Sequence, residues 1–251
     1  MRKQILIAIL IFSGSALFSQ GSVSDTPLRM SLFQFQGGAH QPFGDMGDKY
    51  GTSAAVGFSY AYKTAKNFLF GADFNYIFGN NVNDANDIYH GLRLSNGKVV
   101  GINEEFINAL ILQRGYATGF YVGKIFGGIG QNPNSGIVVK IGLEYLEHRT
   151  YIETRQDDYA PLEGDYLKNY DRKIAGLALY EFIGYQHFSN SRYANFFAGF
   201  DFYQGFTTDY RSYNVDLMQK TDNDYLDILI GFRVGWVIPV YKQAGNKFYF
   251  N

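Results

Sequence analysis

The chain has 251 residues and a formal net charge of −1, with 18% aromatic and 18% charged residues. It contains 29 glycines and no cysteine, which excludes disulfides, cysteine-ligated metal sites and a thiol nucleophile. The weakly negative net charge argues against a nucleic-acid-binding protein, which would need a strongly positive surface. After residue 20 no run of about 20 apolar residues occurs, which excludes a helical membrane protein.

Residues 1–19 have the organisation of a secretory signal peptide. A basic pair opens the segment, a short apolar stretch follows, and small residues precede an expected cleavage after Ser19. The apolar stretch is too short to be a transmembrane helix. We therefore expect an exported protein whose single domain covers residues 20–241, followed by a short periplasmic tail at 242–251.

Eight later segments carry an apolar residue at every second position, which is the periodicity of a β-strand. Their expected bounds are 29–40, 54–62, 67–78, 115–126, 135–150, 172–188, 195–205 and 224–241. In the last segment every second residue from Leu226 to Val240 is apolar, a run about three times the usual strand length. One long apolar face of this kind is typical of a strand that crosses a bilayer.

The connections between these segments alternate in length. Short connections are expected at 63–66, 127–134 and 189–194, and long ones at 41–53, 79–114, 151–171 and 206–223. This is the order of periplasmic turns and extracellular loops in outer-membrane barrels.

The sequence thus predicts an all-β fold, an eight-stranded antiparallel up-and-down transmembrane β-barrel in the cell outer membrane. The sheet must close because lipid cannot hydrogen-bond its edges. The alternative is a secreted lipocalin-like barrel with its apolar faces inward, against which strand length and loop order both argue.

An eight-stranded barrel is filled by side chains and leaves no aqueous channel. Seven charged residues are expected to form a polar network inside it: Asp73, Lys124, Lys140, Glu144, Glu181, Asp201 and Arg233. Lys140 is expected across from Glu181, and Glu181 across from Asp201, so that buried charges are paired. A proton relay or a catalytic role for these carboxylates is the alternative.

The sequence predicts no cofactor, no metal site and no enzymatic activity. The four histidines, His40, His90, His148 and His187, lie on different segments without metal-ligand spacing. His148 follows Glu147 near the expected outer rim, which leaves a lipid-modifying enzyme with a Ser/His/acid set as one alternative. Since no serine stands beside His148 in sequence, we expect a histidine at the membrane interface instead.

The long connections are candidates for partner binding. Five residues of 151–171 suit a protein-binding surface, or else an aromatic girdle at the membrane interface: Tyr151, Arg155, Tyr159, Tyr166 and Tyr170. The connection 79–114 is too long for a bare loop, and its acidic residues lack the spacing of a calcium loop. A surface adhesin or ligand-binding barrel that uses these two loops is therefore a second functional hypothesis.

The last strand also resembles the outer-membrane assembly signal of barrel proteins. That signal has a polar residue, a glycine and two hydrophobic residues at fixed spacing. Here these positions are Arg233, Gly235, Ile238 and Val240. The resemblance implies that the barrel-assembly machinery recognises these four residues.

The mature chain resembles the OmpA/OmpX-like superfamily of eight-stranded barrels. With NPNSG at 132–136, GDYLKNYDR at 164–172 and its C-terminal sequence, it is similar to small barrels of bacteria with type IX secretion. This resemblance implies a non-enzymatic accessory or scaffold subunit of an outer-membrane assembly or secretion complex. Its implied partners are the lipid bilayer, the barrel-assembly machinery and other proteins of that complex.

Overall fold

In the computed structural model, the described residues are 26–83, 109–154, 171–189, 194–211 and 220–241. The expected signal peptide and the expected tail lie outside these ranges. The strands are β1 (Met30–Gly44), β2 (Ser53–Lys63), β3 (Phe68–Gly79), β4 (Ala109–Gly127), β5 (Gly136–Thr154), β6 (Ile174–His187), β7 (Phe196–Asp209) and β8 (Asp224–Val240). One short helix, α1 (Asp45–Lys49), follows β1. Within the described ranges no helix is long and apolar enough to cross a membrane.

The eight strands form a closed barrel in which each strand pairs antiparallel with its sequence neighbours and β8 pairs with β1. This confirms the predicted fold. Cα partners followed around the barrel from Gln34 lead back to β1 at Gly44, ten residues further along the strand. Such an offset over eight strands tilts them by about 40° from the barrel axis.

The outer surface of the barrel is apolar and rich in aromatic side chains. One row of directly paired positions is aromatic on five strands: Phe196, Trp236, Phe35, Phe58 and Phe74. Phe120 is 77% exposed and Leu143 64% exposed. An apolar belt that surrounds a closed barrel is stable only against lipid, because water would drive it to aggregate. The protein is therefore an integral outer-membrane β-barrel, and the lipocalin-like alternative is excluded.

Several connections are shorter than the alternation of apolar and polar residues predicted, because the strands beside them are longer. β4 begins at Ala109, so that residues 109–114 are strand and not part of the connection 79–114. Tyr151 lies within β5, and β7 continues to Asp209. At the start of β4 and the end of β5 both faces carry apolar or aromatic residues, and strand pairing continues beyond the point where the alternation of apolar and polar residues fades.

The end of the barrel with the short connections is covered by the turn between β4 and β5. The Asn134 side-chain oxygen accepts hydrogen bonds from the Leu28 N–H at 2.8 Å and from Lys63 Nζ at 2.7 Å. Its amide nitrogen donates to the Thr26 carbonyl oxygen at 3.1 Å. Asn132 in the same turn donates to the Phe188 carbonyl oxygen. Lys63 and Asn134 are fully buried, so this turn packs tightly over the barrel end.

Candidate functional site

The centre of the barrel is organised by Arg233 of β8. Its Nη2 lies 2.6 Å from Asp201 Oδ2, and its Nη1 lies 3.8 Å from Asp73 Oδ2. The same guanidinium donates hydrogen bonds to the Tyr203 hydroxyl at 2.6 Å and to Asn75 Oδ1 at 3.1 Å. All five side chains are buried. A guanidinium that reaches two carboxylates offsets the cost of burying its own charge.

Residues of β1 extend this cluster from the opposite side of β8. His40 Nε2 lies 3.0 Å from Asp201 Oδ2, and Gln36 Nε2 donates to Asn75 Oδ1 at 2.6 Å. Gly231 is paired directly with both His40 and Asp201, and a Cβ at this position would overlap the His40 ring. A glycine is thus needed for the histidine and the aspartate to meet.

Lys140 and Glu144 belong to the same interior but make different contacts. Lys140 Nζ lies 4.8 Å from the Tyr121 ring centroid, 5.0 Å from that of Phe182 and 4.7 Å from that of Phe197. This aromatic enclosure stabilises the ammonium group by cation–π attraction. Neither carboxylate oxygen of the buried Glu144 has a hydrogen-bond partner among the described residues.

Glu181 lies on the outside of the barrel, so its predicted place in the interior network is wrong. Lys140 is paired with Phe182, and Phe182 with Asp201, so these three residues share the inner face. Adjacent strand residues alternate between faces, which puts Glu181 outside. The expected Lys140–Glu181–Asp201 arrangement therefore does not form. The prediction took the charge of Glu181 as the mark of the inner face. Both faces of β6 carry apolar residues, so the apolar pattern could not show which face points inward.

Lys124 also faces outward, contrary to the prediction. It shares the outer face of β4 with the exposed side chains of Val122 and Phe126. Its Nζ lies 4.8 Å from the Phe68 ring centroid and 5.5 Å from that of Phe126, near the end of β4 with the short turn. A lysine at this position can extend its stem over aromatic rings toward the membrane surface. Five of the seven residues expected inside thus lie there: Asp73, Lys140, Glu144, Asp201 and Arg233.

A second interior cluster surrounds His148, which is fully buried and not at the membrane interface. Its Nε2 lies 2.7 Å from Asp227 Oδ2, and the Thr207 hydroxyl donates to the same oxygen at 2.6 Å. Since the hydroxyl bonds the carboxylate and not the imidazole, this arrangement does not activate a nucleophile. Glu147 lies on the opposite face of β5, so the adjacent His148 and Glu147 do not form an acid–base pair. Within the described ranges no three or more histidine, aspartate or glutamate side chains are grouped so that they could hold a metal ion.

Four cations form what we call the outer rim cluster, on the outside of the barrel at the end with the long connections. They lie on β4, on β5, just before β6 and just after β7: Arg114, Arg149, Lys173 and Arg211. The register pairs Arg114 directly with Arg149. Just beneath them the apolar belt begins, with Leu177 and Phe206 both about two-thirds exposed.

Two acidic side chains partly neutralise the outer rim cluster. Asp171 accepts hydrogen bonds from Arg211 at 2.7 and 3.2 Å, and Lys173 Nζ lies 2.8 Å from Glu147 Oε1. The Asp171 hydrogen bonds raise the pKa of Arg211 further above its ordinary value, so this residue is cationic at any physiological pH. Among the described residues, these two acids stand against the four bases of the cluster.

Tyrosines accompany these cations, as they do in the polar–apolar girdles of membrane barrels. Lys173 Nζ lies 4.2 Å from the Tyr210 ring centroid, and the Arg114 guanidinium carbon lies 5.9 Å from that of Tyr151. Tyr151 is the one member of the proposed partner-binding set that the structure describes. The others, Arg155, Tyr159, Tyr166 and Tyr170, lie outside the described residues.

The residues of the assembly-signal resemblance alternate along β8. Arg233 and Gly235 face the interior, whereas Ile238 and Val240 face lipid and are 37% and 54% exposed. Their recognition by the assembly machinery stays a prediction.

No family model and no curated protein sequence matches the chain. Among solved structures, the attachment invasion locus protein Ail of Yersinia pestis is similar at 9% identity and a TM-score of 0.38, over 84% of this chain and 99% of Ail. Ail in complex with the heparin analogue sucrose octasulfate gives the same values. The outer membrane protein OprG of Pseudomonas aeruginosa is similar at 12% identity and a TM-score of 0.35, over 86% of this chain and 99% of OprG.

Proposed function

We propose that this protein is a non-enzymatic accessory or scaffold subunit of an outer-membrane assembly or secretion complex. The supporting observation is its filled interior, in which side chains of β1, β3, β7 and β8 meet across the barrel around Arg233. The turn carrying Asn134 covers the periplasmic end. Over the part of the barrel that the structure describes, an interior filled in this way offers neither a channel nor a substrate cavity. Its remaining means of action are the lipid-facing surface, the rims and the loops.

Assembly of such a subunit would begin at its last strand. In this proposal the barrel-assembly machinery recognises Arg233, Gly235, Ile238 and Val240, two of which face inward and two of which face lipid. Before β1 pairs with β8, the backbone edge of β8 is free to hydrogen-bond another protein, and the lipid-facing pair lies beside that edge.

Purification of the protein from its native outer membranes in a mild detergent tests the subunit role. We expect a defined set of membrane proteins to remain with it through two successive purification steps. A second barrel of similar size from the same membranes, carrying the same affinity tag, is the control. Recovery of the protein alone, under conditions that preserve other complexes of that membrane, would contradict the proposal.

Ligand binding at the cell surface is a second candidate, which the positive charge of the outer rim cluster favours. Glutamine in place of all four residues of the outer rim cluster (Arg114, Arg149, Lys173 and Arg211) should then abolish binding of anionic surface molecules to intact cells. Glutamine in place of Lys66 and Lys124, near the end of the barrel with the short connections, is the control. Equal binding by both variants would argue against this candidate.

A further inference from the structure

We propose that the outer face of β6 and β7 docks against a second membrane-spanning protein, which places a lysine or arginine against Glu181. The inference rests on the proposed subunit role and specifies the surface involved. We call this surface the β6–β7 patch; it consists of Glu181 and Gln204 with the surrounding apolar side chains Leu177, Ile183, Phe200 and Phe206.

Glu181 lies in the middle of the apolar belt. It is the eighth of the 14 residues of β6, and its direct partners on the neighbouring strands are Ile141 and Phe202. Ile183, the next outward residue of β6 toward the short turns, is 51% exposed, and Leu177 on the other side is 64% exposed. The carboxyl group is therefore surrounded by side chains that face hydrocarbon.

No described residue supplies a hydrogen bond or a counter-ion to the Glu181 carboxylate. A charged group in hydrocarbon is costly, and such residues in membrane proteins characteristically pair with another polar group or mark a functional site. Lys124, which also faces outward, lies near the end of β4 with the short turn and has a long stem that can reach the membrane boundary. Glu181 is nearer the middle of its strand and its side chain is shorter, so it does not reach the membrane boundary. We infer that its polar partner belongs to another membrane protein.

A second polar side chain lies beside Glu181 on the same surface. Gln204 is paired with Leu179, and since Glu181 is paired with Phe202, the two polar residues are diagonal neighbours across β6 and β7. At this spacing of about 7–8 Å, one cationic side chain from outside can approach the carboxylate while hydrogen-bonding the amide. The surrounding aliphatic and aromatic residues supply the apolar surface that helix or strand packing within a membrane requires.

Charge complementarity selects the partner. A symmetric dimer through this patch would bring two Glu181 carboxylates together, which is unfavourable in a medium of low dielectric constant. A different membrane-spanning protein with a lysine or arginine at this depth pairs the charge directly. Within the membrane, such a pair would fix the orientation of the two proteins as well as hold them together.

Site-specific photocrosslinking in native outer membranes tests the docking surface. A photoreactive amino acid is placed at Leu177, on the patch, or at Phe58, which lies four strands away and is 59% exposed. We expect a cross-linked heteromeric product from position 177 and none from position 58. Products containing only lipid at position 177, or a product with twice the mass of this chain, would overturn the proposal.

Substitution of the charge tests the pairing. Glu181→Leu is compatible with lipid, and we expect it to keep the heat-stable barrel but to lower recovery of the cross-linked partner at least about tenfold. Lys124→Leu, which removes an outward-facing charge far from the patch, should leave recovery unchanged, and Glu181→Asp should retain part of it. If the wild-type protein purifies with a partner and Glu181→Leu recovers equal amounts, this inference fails while the subunit role stands. If the wild-type protein purifies alone, the subunit role itself fails.

Discussion

The barrel interior and the outer rim cluster contain the same kinds of side chain in two different environments. In each, arginine contacts aspartate and tyrosine. Arg233 and its partner Asp201 are 2% and 0% exposed, whereas Arg149 and Arg211 on the rim are 41% and 31% exposed. In the interior the charges of Arg233 and Asp201 depend on their protein partners, because water cannot replace them. On the rim, water or another molecule can.

This difference separates stabilising interactions from those available for binding. Removal of one partner from a buried ion pair leaves an uncompensated charge and is strongly destabilising. An exposed pair contributes little to stability because water and salt compete for it. We therefore expect substitutions inside the barrel to change its stability, and substitutions on the rim to change what it binds.

The largest effect is expected from Arg233→Met. This change leaves Asp201 and Asp73 buried without their shared cation, which should lower the free energy of unfolding by about 3–5 kcal/mol. Urea unfolding in lipid vesicles, followed by tryptophan fluorescence, measures it. Arg114→Met on the rim is the matched control and should change stability far less. Equal losses from the two variants would show that the interior and the rim do not differ as described.

A smaller effect is expected from Gly231→Ala, which keeps every charge but disturbs the contact between His40 and Asp201. The added methyl group overlaps the His40 ring, and overpacking of this kind costs about 1–3 kcal/mol. Gly37→Ala is the control on β1, because its nearest neighbour would be the Ala55 carbonyl oxygen at an ordinary 3.6 Å. Thermal unfolding of both variants compares them, and an equally destabilised Gly37→Ala would contradict the steric explanation.

Lys140→Met tests the aromatic enclosure inside the barrel. Methionine fills a similar volume but lacks the charge that attracts the rings of Tyr121, Phe182 and Phe197, so we expect a loss of about 1–2 kcal/mol. The measurement is the midpoint of heat-induced migration change in gel electrophoresis, with Lys124→Met as the lipid-facing control. No change in that midpoint would mean that the cation–π contacts contribute nothing measurable.

The smallest effect on stability is expected from Arg211→Gln on the rim. It removes two hydrogen bonds to Asp171, yet an exposed pair of this kind contributes at most about 1 kcal/mol. Urea unfolding at low and high salt checks this, because the small difference from the wild-type protein should shrink as salt screens the pair. A loss of stability as large as that of Arg233→Met would mean that the rim ion pairs stabilise the barrel as strongly as the interior ones.

Many of the inward-facing residues could be inferred from the sequence of a single strand, once one buried charged residue on that strand was recognised. Asn75 lies two residues from Asp73, and Tyr203 two residues from Asp201, so each pair shares a face by alternation alone. The contact between Arg233 and Asp73 could not be inferred in this way, because it joins β8 and β3 across the barrel. It depends on closure of the sheet and on its ten-residue offset.

The sequence by itself determined the number of strands, their order, and the membrane as their environment. The reason is that a period of two is a local property of the chain, which β8 shows without exception. Only the tertiary structure decided which face of β6 points inward. Both faces of that strand are apolar enough for either environment, so pairing with Lys140 on β5 and Asp201 on β7 placed Phe182 inside and Glu181 against lipid.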